Sequence, residues 1–274
     1  MPAYICRTCG VQYPDTERPP DVCRICDDER QYVNPEGQQW TTMAELAAEG
    51  RQNRIRAADP GVESIHTTPR FAIGQRACLV RTGGGNFLWD SISYLDDATV
   101  AAVKELGGVQ GISVSHPHFY SSVVEWSHAF GGAPIYVPEA DREHFVRPDP
   151  AVRLWSGTLE VWPGVTLVQV GGHFEGSAVL HWAEGAGGKG ALFTGDSISV
   201  AQDTRWVTFM RSYPNYIPLP PPAIRRIVDA LEPYEYDRLY GGWWDSVVRE
   251  DAKERVKRSA ERYVAWTGGE ETGT

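Results

Sequence analysis

Seven histidines are spread over 274 residues, and two of them, His116 and His118, stand two positions apart in Gly111-Ile-Ser-Val-Ser-His-Pro-His-Phe-Tyr-Ser121. The apolar run before them reads as a buried strand that delivers both imidazoles to the loop that follows. On an extended backbone, side chains two residues apart leave on the same side, so one ion can meet both rings. Pro117 fixes φ between them and carries no N–H, which stiffens the loop. Taken alone, such a pair is as readily two hydrogen-bonded loop histidines as two ligands. Two further strand ends add weight. Residues 165–173 form a β-rich run closing on Gly171-Gly172-His173, and residues 190–196 form one closing on Gly195-Asp196. Three strands that each end in a potential ligand describe a site at the rim of a rigid sheet, where loops carry chemistry that packing does not consume.

This ordered set resembles the metallo-β-lactamase-fold hydrolases. Their signature is an Asp-ending strand, His-x-His-x-Asp-His, a later His, a Gly-Asp and a final His. Asn86-Phe-Leu-Trp-Asp90-Ser91 corresponds to the first element, His116 and His118 to the second, His173 to the third and Asp196 to the fourth, within residues 70–245. The resemblance implies the α/β class and an αββα sandwich. It also implies a metal at His116, His118, His173 and Asp196, with Asp90 orienting the ligand loops from behind. The departures are equally informative. Tyr120 and Ser121 stand where the motif carries Asp and His, and no histidine follows His181, although one is expected near Tyr240-Gly-Gly-Trp-Trp244. The missing residues are those that hold a second metal in the family, so a mononuclear centre is expected.

Three imidazoles leave the fourth position of a zinc ion for water, whose pKa the metal lowers to about 7, giving hydroxide at neutral pH. Asp196 is then either a fourth ligand or a proton acceptor. Tyr120 is either a hydrogen-bond donor to the oxyanion or a packed ring. Trp206 and Tyr213, in the insertion after Asp196, and Trp243, where the last His is missing, are expected to wall the site. The reaction predicted is hydrolysis of a small ester, thioester, lactone or amide with an apolar or aromatic portion. Two other readings stay open. One is a mononuclear Fe(II) oxygenase, resembling the sulfur dioxygenases of the same fold, with His116, His173 and Asp196 as ligands. The other is a non-catalytic binding protein on a degenerate scaffold.

At the N-terminus, Cys6-Arg-Thr-Cys9-Gly10 and Cys23-Arg-Ile-Cys26 are two Cys-x-x-Cys knuckles separated by a polar loop. Four thiolates at this spacing can close a tetrahedral shell, and fewer than 40 residues cannot stabilise themselves by core burial alone. The pair, with Gly10 and Tyr13, resembles a rubredoxin-like zinc ribbon. Structural zinc is expected, and iron is possible at either metal site. The domains predicted are the ribbon at 1–36 and the catalytic domain at 37–274. Cys78 reads as a small buried hydrophobe.

Between these motifs the sequence alternates strands and helices. Helices are expected over 41–48 (capped by Thr41), 96–106, 122–130, 139–146, 223–231 and 250–266. Strands are expected over 70–80, 87–90, 134–137 and 177–182, and the final Gly/Glu/Thr tail is expected to be disordered. His66, His128, His144 and His181 read as structural. With 42% hydrophobic residues and 10 tryptophans the chain can bury a substantial core, and no apolar run approaches the ~20 residues needed to span a bilayer. The first residues lack a basic region followed by an apolar one, so a cytoplasmic location with reduced thiols is expected. A net charge of −10 argues against nucleic acid as a partner. Residues 253–262 interleave basic side chains with Glu254 and Glu261, as a solvated helix face does. The expected partner is a small-molecule substrate, with homo-oligomerisation left open.

Overall fold

The computed structural model describes residues 1–268; of the tail expected to be disordered, Thr267 still belongs to the last helix and Gly268 caps it, and the rest lies outside the described residues. The chain divides into two compact units, one of Met1–Val137 with Asp141–Leu154, the other of Pro138–Ala140 with the residues from Trp155 onward.

The first unit opens with a three-stranded antiparallel sheet of β1 (Ala3–Cys6), β2 (Gln12–Asp15) and β3 (Trp40–Thr41) in the order β2-β1-β3. Strands of two to four residues hold little ladder energy, and the side chains buried among them are chiefly the four cysteines with Ile5, Val11 and Ile25. The helix Met43–Ala48 follows. Its N-cap is Thr42, one residue later than expected, because Thr41 is committed to pairing with Ile5. Thr42 and Glu45 form a reciprocal capping box. Leu46 then packs with Ile5, Phe71 and Tyr94.

The larger sheet of this unit runs β4 (Gln52–Asp59), β5 (Val62–Thr68), β6 (Ala77–Thr82), β7 (Gly85–Trp89), β8 (Gly111–Ser113), β9 (Ile135–Pro138) and β10 (Val152–Trp155), in consecutive order. β4 to β7 form an antiparallel meander, whereas β7–β8 and β8–β9 are parallel. The two parallel pairs need crossovers, which the helices Asp97–Glu105 and Val123–Ala129 supply. The strand expected over 70–80 begins only at Ala77, since Gly74 takes a left-handed turn at φ 77° and the buried side chains of Gln75 and Arg76 are bonded to the hydroxyls of Ser121 and Ser64. The segment 139–146 is a 3₁₀ turn, Glu139–His144.

In the second unit β11 (Thr158–Trp162), β12 (Val165–Gln169), β13 (Ala178–Trp182) and β14 (Ala191–Gly195) are followed by two small hairpins. These are β15 (Ser199–Val200) with β16 (Val207–Thr208), and β17 (Met210–Ser212) with β18 (Ile217–Pro218). β19 (Arg238–Gly241) and β20 (Val247–Val248) complete a sheet ordered β11-β12-β13-β14-β19-β20. Every residue of β13 and β14 is buried, as in central strands covered on both faces. The parallel step β14–β19 is bridged by the helix Pro221–Leu231, which starts at the second of three prolines, where a missing N–H costs nothing. Ile224, Ile227 and Leu231 from that helix and Val256 from the last helix, Ala252–Thr267, share one core with Val168, Leu192 and Leu239 of the sheet. No helix among the described residues is long and apolar enough to cross a membrane.

Candidate metal centres

The parallel register explains why the first unit's functional loops share an edge. β7 and β8 run side by side, with Phe87 opposite Gly111 and Trp89 opposite Ser113, so Asp90 and the His-x-His loop leave from the same ends. Pro117 opens a 3₁₀ turn over Pro117–Phe119 with His116 as its extended cap, which sets the two imidazoles 5.1 Å apart, nearly perpendicular. Ser115 Oγ lies 2.9 Å from His116 Nδ1, making Nε2 the donor nitrogen for an ion. Asp90 accepts the Ser115 N–H at 2.8 Å. Burial pushes the Asp90 carboxyl up to about 7, against the lowering pull of that N–H.

The second unit repeats the logic. Gly171 and Gly172 both have positive φ, and a Cβ on Gly172 would stand 2.9 Å from Ile227 and Leu219, so only glycine lets the strand end pass over the helix Pro221–Leu231. His173 emerges there with Nδ1 3.0 Å from the Met210 carbonyl, again presenting Nε2. Asp196 follows Gly195 at the end of β14, whose neighbour β19 runs parallel, and Trp243 lies two residues beyond the end of β19.

One ligand atom from each of His116, His118, His173 and Asp196 lies within 4.8 Å of the others, and all four residues are buried. Ligand atoms of this kind stand about 2.0–2.2 Å from a bound zinc ion. Three neutral imidazoles and a carboxylate also have the chemistry to hold a divalent cation. The cysteines fit more tightly. Cys6 and Cys26 sulfurs are 3.6 Å apart, as are those of Cys9 and Cys23, against the roughly 3.8 Å edge of a tetrahedron with 2.3 Å metal–sulfur bonds. Hydrogen bonds from the other three thiols pull the Cys6 thiol down while burial pushes the Cys9 thiol up, and four thiolates gathered in one volume would repel one another unless a cation lay between them. Tyr13 Oη and Gln38 Nε2 donate to the sulfurs of Cys23 and Cys6.

The remaining sequence candidates are placed variously. Tyr213 lies with its ring 5.9 Å from His173 and its hydroxyl donating to the Asp196 carbonyl at 3.3 Å. Tyr120 packs edge-on against Phe145 at 5.2 Å, and its buried hydroxyl has no hydrogen-bond partner among the described residues. Trp206 lies beneath the guanidinium groups of Arg258 and Arg262, at 5.2 and 3.6 Å. Ser121 sits at φ 45° with Oγ accepting from Gln75 Nε2. His128 pairs with Asp149 and His181 with the Glu235 carbonyl, both apart from the metal-ligand group. Sequence reading missed Ser115 and the Met210 carbonyl, which fix the imidazoles. The Ser immediately before His116 was a usable signal, whereas a main-chain acceptor 37 residues from His173 leaves none.

Compared with known proteins, a family model described as the metallo-beta-lactamase superfamily matches residues 73–243 and so spans Asp90, His116, His118, His173 and Asp196. The "Uncharacterized protein YmaE" of Bacillus subtilis (strain 168) is 50% identical over 266 residues, 96% of this chain and 96% of that protein, so this similarity extends into the Cys segment outside the family model. Among solved structures, DIM-1 metallo-beta-lactamase exposed to ceftazidime superimposes with a TM-score of 0.58 at 15% identity, covering 77% of this chain and 97% of that one. VMB-1 at pH 5.5 gives 0.56 at 14% identity, covering 78% and 98%. At such identities the likeness is one of fold, mixed α/β with several sheets.

Proposed function

The chain belongs to the metallo-beta-lactamase superfamily, and from that membership we propose that it is a mononuclear metal-dependent hydrolase of a small ester, thioester, lactone or amide with an apolar or aromatic portion. The observation that carries this reading is the convergence of His116, His118, His173 and Asp196, in a chain that has Tyr120 and Ser121 where a second ion's ligands belong. A zinc ion held there supplies Lewis acidity toward a carbonyl and acidifies water at neutral pH. Ser115 and the Met210 carbonyl keep two imidazoles oriented to hold it, and Asp196 ligates or takes up a proton through its carboxylate. Tyr213 and Trp243 form an aromatic wall that favours flat or apolar substrates and excludes water. The four cysteines hold a structural zinc, whose thiolates suit the reducing cytoplasm. Iron fits the same thiolate shell.

The test begins with elemental analysis of protein purified without added metal. Two zinc ions per chain are expected in the wild type, one in Cys9→Ser and one in His118→Ala. The zinc-loaded proteins are then screened against aryl esters, thioesters and lactones. Turnover that survives His118→Ala, or none by the wild type on any carbonyl substrate, overturns the hydrolase reading. Iron at the histidines moves it to the oxygenase.

A further inference from the structure

The Cys segment touches the His-x-His loop. Inside the first knuckle, Gly10 N–H donates to the Cys6 carbonyl at 2.8 Å and Cys6 N–H to the Val11 carbonyl at 3.0 Å, so the backbone from Cys6 to Gln12 takes its shape around the sulfurs. Two main-chain groups of that short stretch reach the rest of the unit. The Gly10 carbonyl accepts from Ser93 Oγ at 2.8 Å, and Gln12 N–H donates to the Ser121 carbonyl at 3.0 Å. The first contact is close enough to exclude a side chain. Gly10 has φ +83°, and a Cβ there would stand 2.3 Å from Ser93 Oγ.

Ser93 and Ser121 are three residues beyond Asp90 and His118, and other bonds tie their segments together. Gln75 Nε2 donates to both the Ser91 carbonyl and Ser121 Oγ at 2.9 Å. Ser122 Oγ and Trp126 Nε1 donate to the Ile92 carbonyl at 3.0 and 3.1 Å. Ser121 occupies a left-handed backbone that a serine adopts only when its surroundings impose it. The Gln12 N–H on its carbonyl and the Gln75 amide on its hydroxyl are two hydrogen bonds that hold it there.

We propose that the Cys module is a positioning element for the His-x-His loop, so that metal held by the four cysteines raises the affinity with which His116 and His118 hold theirs. This rests on the metal-centre reading above. With strands of two to four residues the module leans on that metal to keep the knuckle's shape. Emptying it releases the Gly10 carbonyl and the Gln12 N–H, and Ser93 and Ser121 each lose one of the contacts that hold their loops. Coupling of this kind is typically worth 5- to 150-fold in affinity and is reciprocal at equilibrium, so a filled histidine site must tighten the cysteine site by the same factor.

Cobalt(II) titration of the full chain separates the two sites, because only the cysteine site gives thiolate charge-transfer bands. Gly10→Ala places a Cβ against Ser93 Oγ, and Ser93→Ala deletes the hydroxyl; neither residue is a candidate ligand. Both variants are expected to weaken cobalt binding at the histidines, Gly10→Ala by on the order of 10-fold, with the thiolate bands retained. His116→Ala should in turn weaken binding at the cysteines. If Gly10→Ala also disturbs the thiolate bands, Ser93→Ala decides. Variants that lower the thermal midpoint but bind cobalt at the histidines like the wild type would show a merely structural contact and overturn the coupling. Two wild-type sites that fill independently also overturn it and leave the hydrolase reading intact, whereas a wild type that takes no cobalt at the histidines overturns both.

Discussion

The carboxylate of Asp90 accepts a 2.8 Å hydrogen bond from the N–H of Ser115, the residue that in turn engages His116 Nδ1. Asp90 thus reaches the histidine through one intervening residue, from a backbone bent to φ +61° with its own N–H on the Ser113 carbonyl. Its carboxyl, pushed up to about 7 by burial, keeps its proton in the metal-free folded chain, while the unfolded chain loses it near the ordinary value of 3.8. Between those limits the folded state binds one more proton. Stability of metal-free protein should therefore fall as pH rises from about 4 to 7, by about 1.4 kcal/mol per unit from this group, and level off above. Asn retains the acceptor without the titration. Denaturant midpoints across this range should thus lose that slope in Asp90→Asn, and an unchanged slope would assign it to other groups.

His173→Ala should remove the metal of the histidine site, since the side chain supplies one of three imidazoles and no histidine follows His181 to replace it. One zinc per chain should be lost by elemental analysis and hydrolysis should fall to background. His181→Ala, which deletes a bond to the Glu235 carbonyl, should leave metal content unchanged. Equal metal loss in both variants would mean that the site tolerates no perturbation of the second unit rather than that His173 is a ligand.

The candidate ligand group was legible because chemistry imposes residue types: a metal needs imidazole, carboxylate or thiolate, and strand ends are the places that present them. The flanking elements were less so. The β4–β5 hairpin escaped notice because Gln52-Asn-Arg-Ile-Arg-Ala-Ala-Asp59 has too few apolar residues to show a strand period, its side chains being exposed or half-buried. Trp206 carries no sign in the sequence that Arg258 and Arg262, more than fifty residues on, will take its ring face. Cation–π pairing across that separation is set by tertiary structure alone. The contacts of Gly10 and Gln12 with Ser93 and Ser121 are likewise made mostly by main-chain atoms, which every residue possesses.

Cys23→Ser should leave the thiolate shell one member short and lower the thermal midpoint, because the four cysteines are among the most deeply buried side chains of the segment that carries the three-stranded sheet. Tyr13→Phe is a gentler probe. The Tyr13 hydroxyl donates to Cys23 Sγ at 3.5 Å and accepts from Arg24 N–H at 2.8 Å, so the variant deletes both bonds at a cost of about 1 kcal/mol each while all four sulfurs remain. Differential scanning of both variants, with and without chelator, checks the assignment. If chelation lowers the midpoint of Cys23→Ser as much as that of the wild type, the cysteines are not the site whose metal stabilises the fold.

Tyr213 offers the sharpest test of the aromatic wall, because its ring and its hydroxyl do different things. The hydroxyl donates to the carbonyls of Asp196 and Thr208 at 3.3 and 3.4 Å, and burial holds the phenol well above its ordinary pKa, so it is a donor and never a base. The ring stands beside His173, whose Nδ1 is anchored independently on the Met210 carbonyl. Tyr213→Phe should therefore cost about 1 kcal/mol of stability and leave KM for an aryl ester nearly unchanged. Tyr213→Ala should keep the metal but raise KM on the order of 10-fold with a smaller change in kcat, as loss of binding shared by ground and transition states requires. If the two variants behave alike, the hydroxyl rather than the ring is what matters. If Tyr213→Ala loses its metal, the ring supports His173 and does not form a wall for substrate.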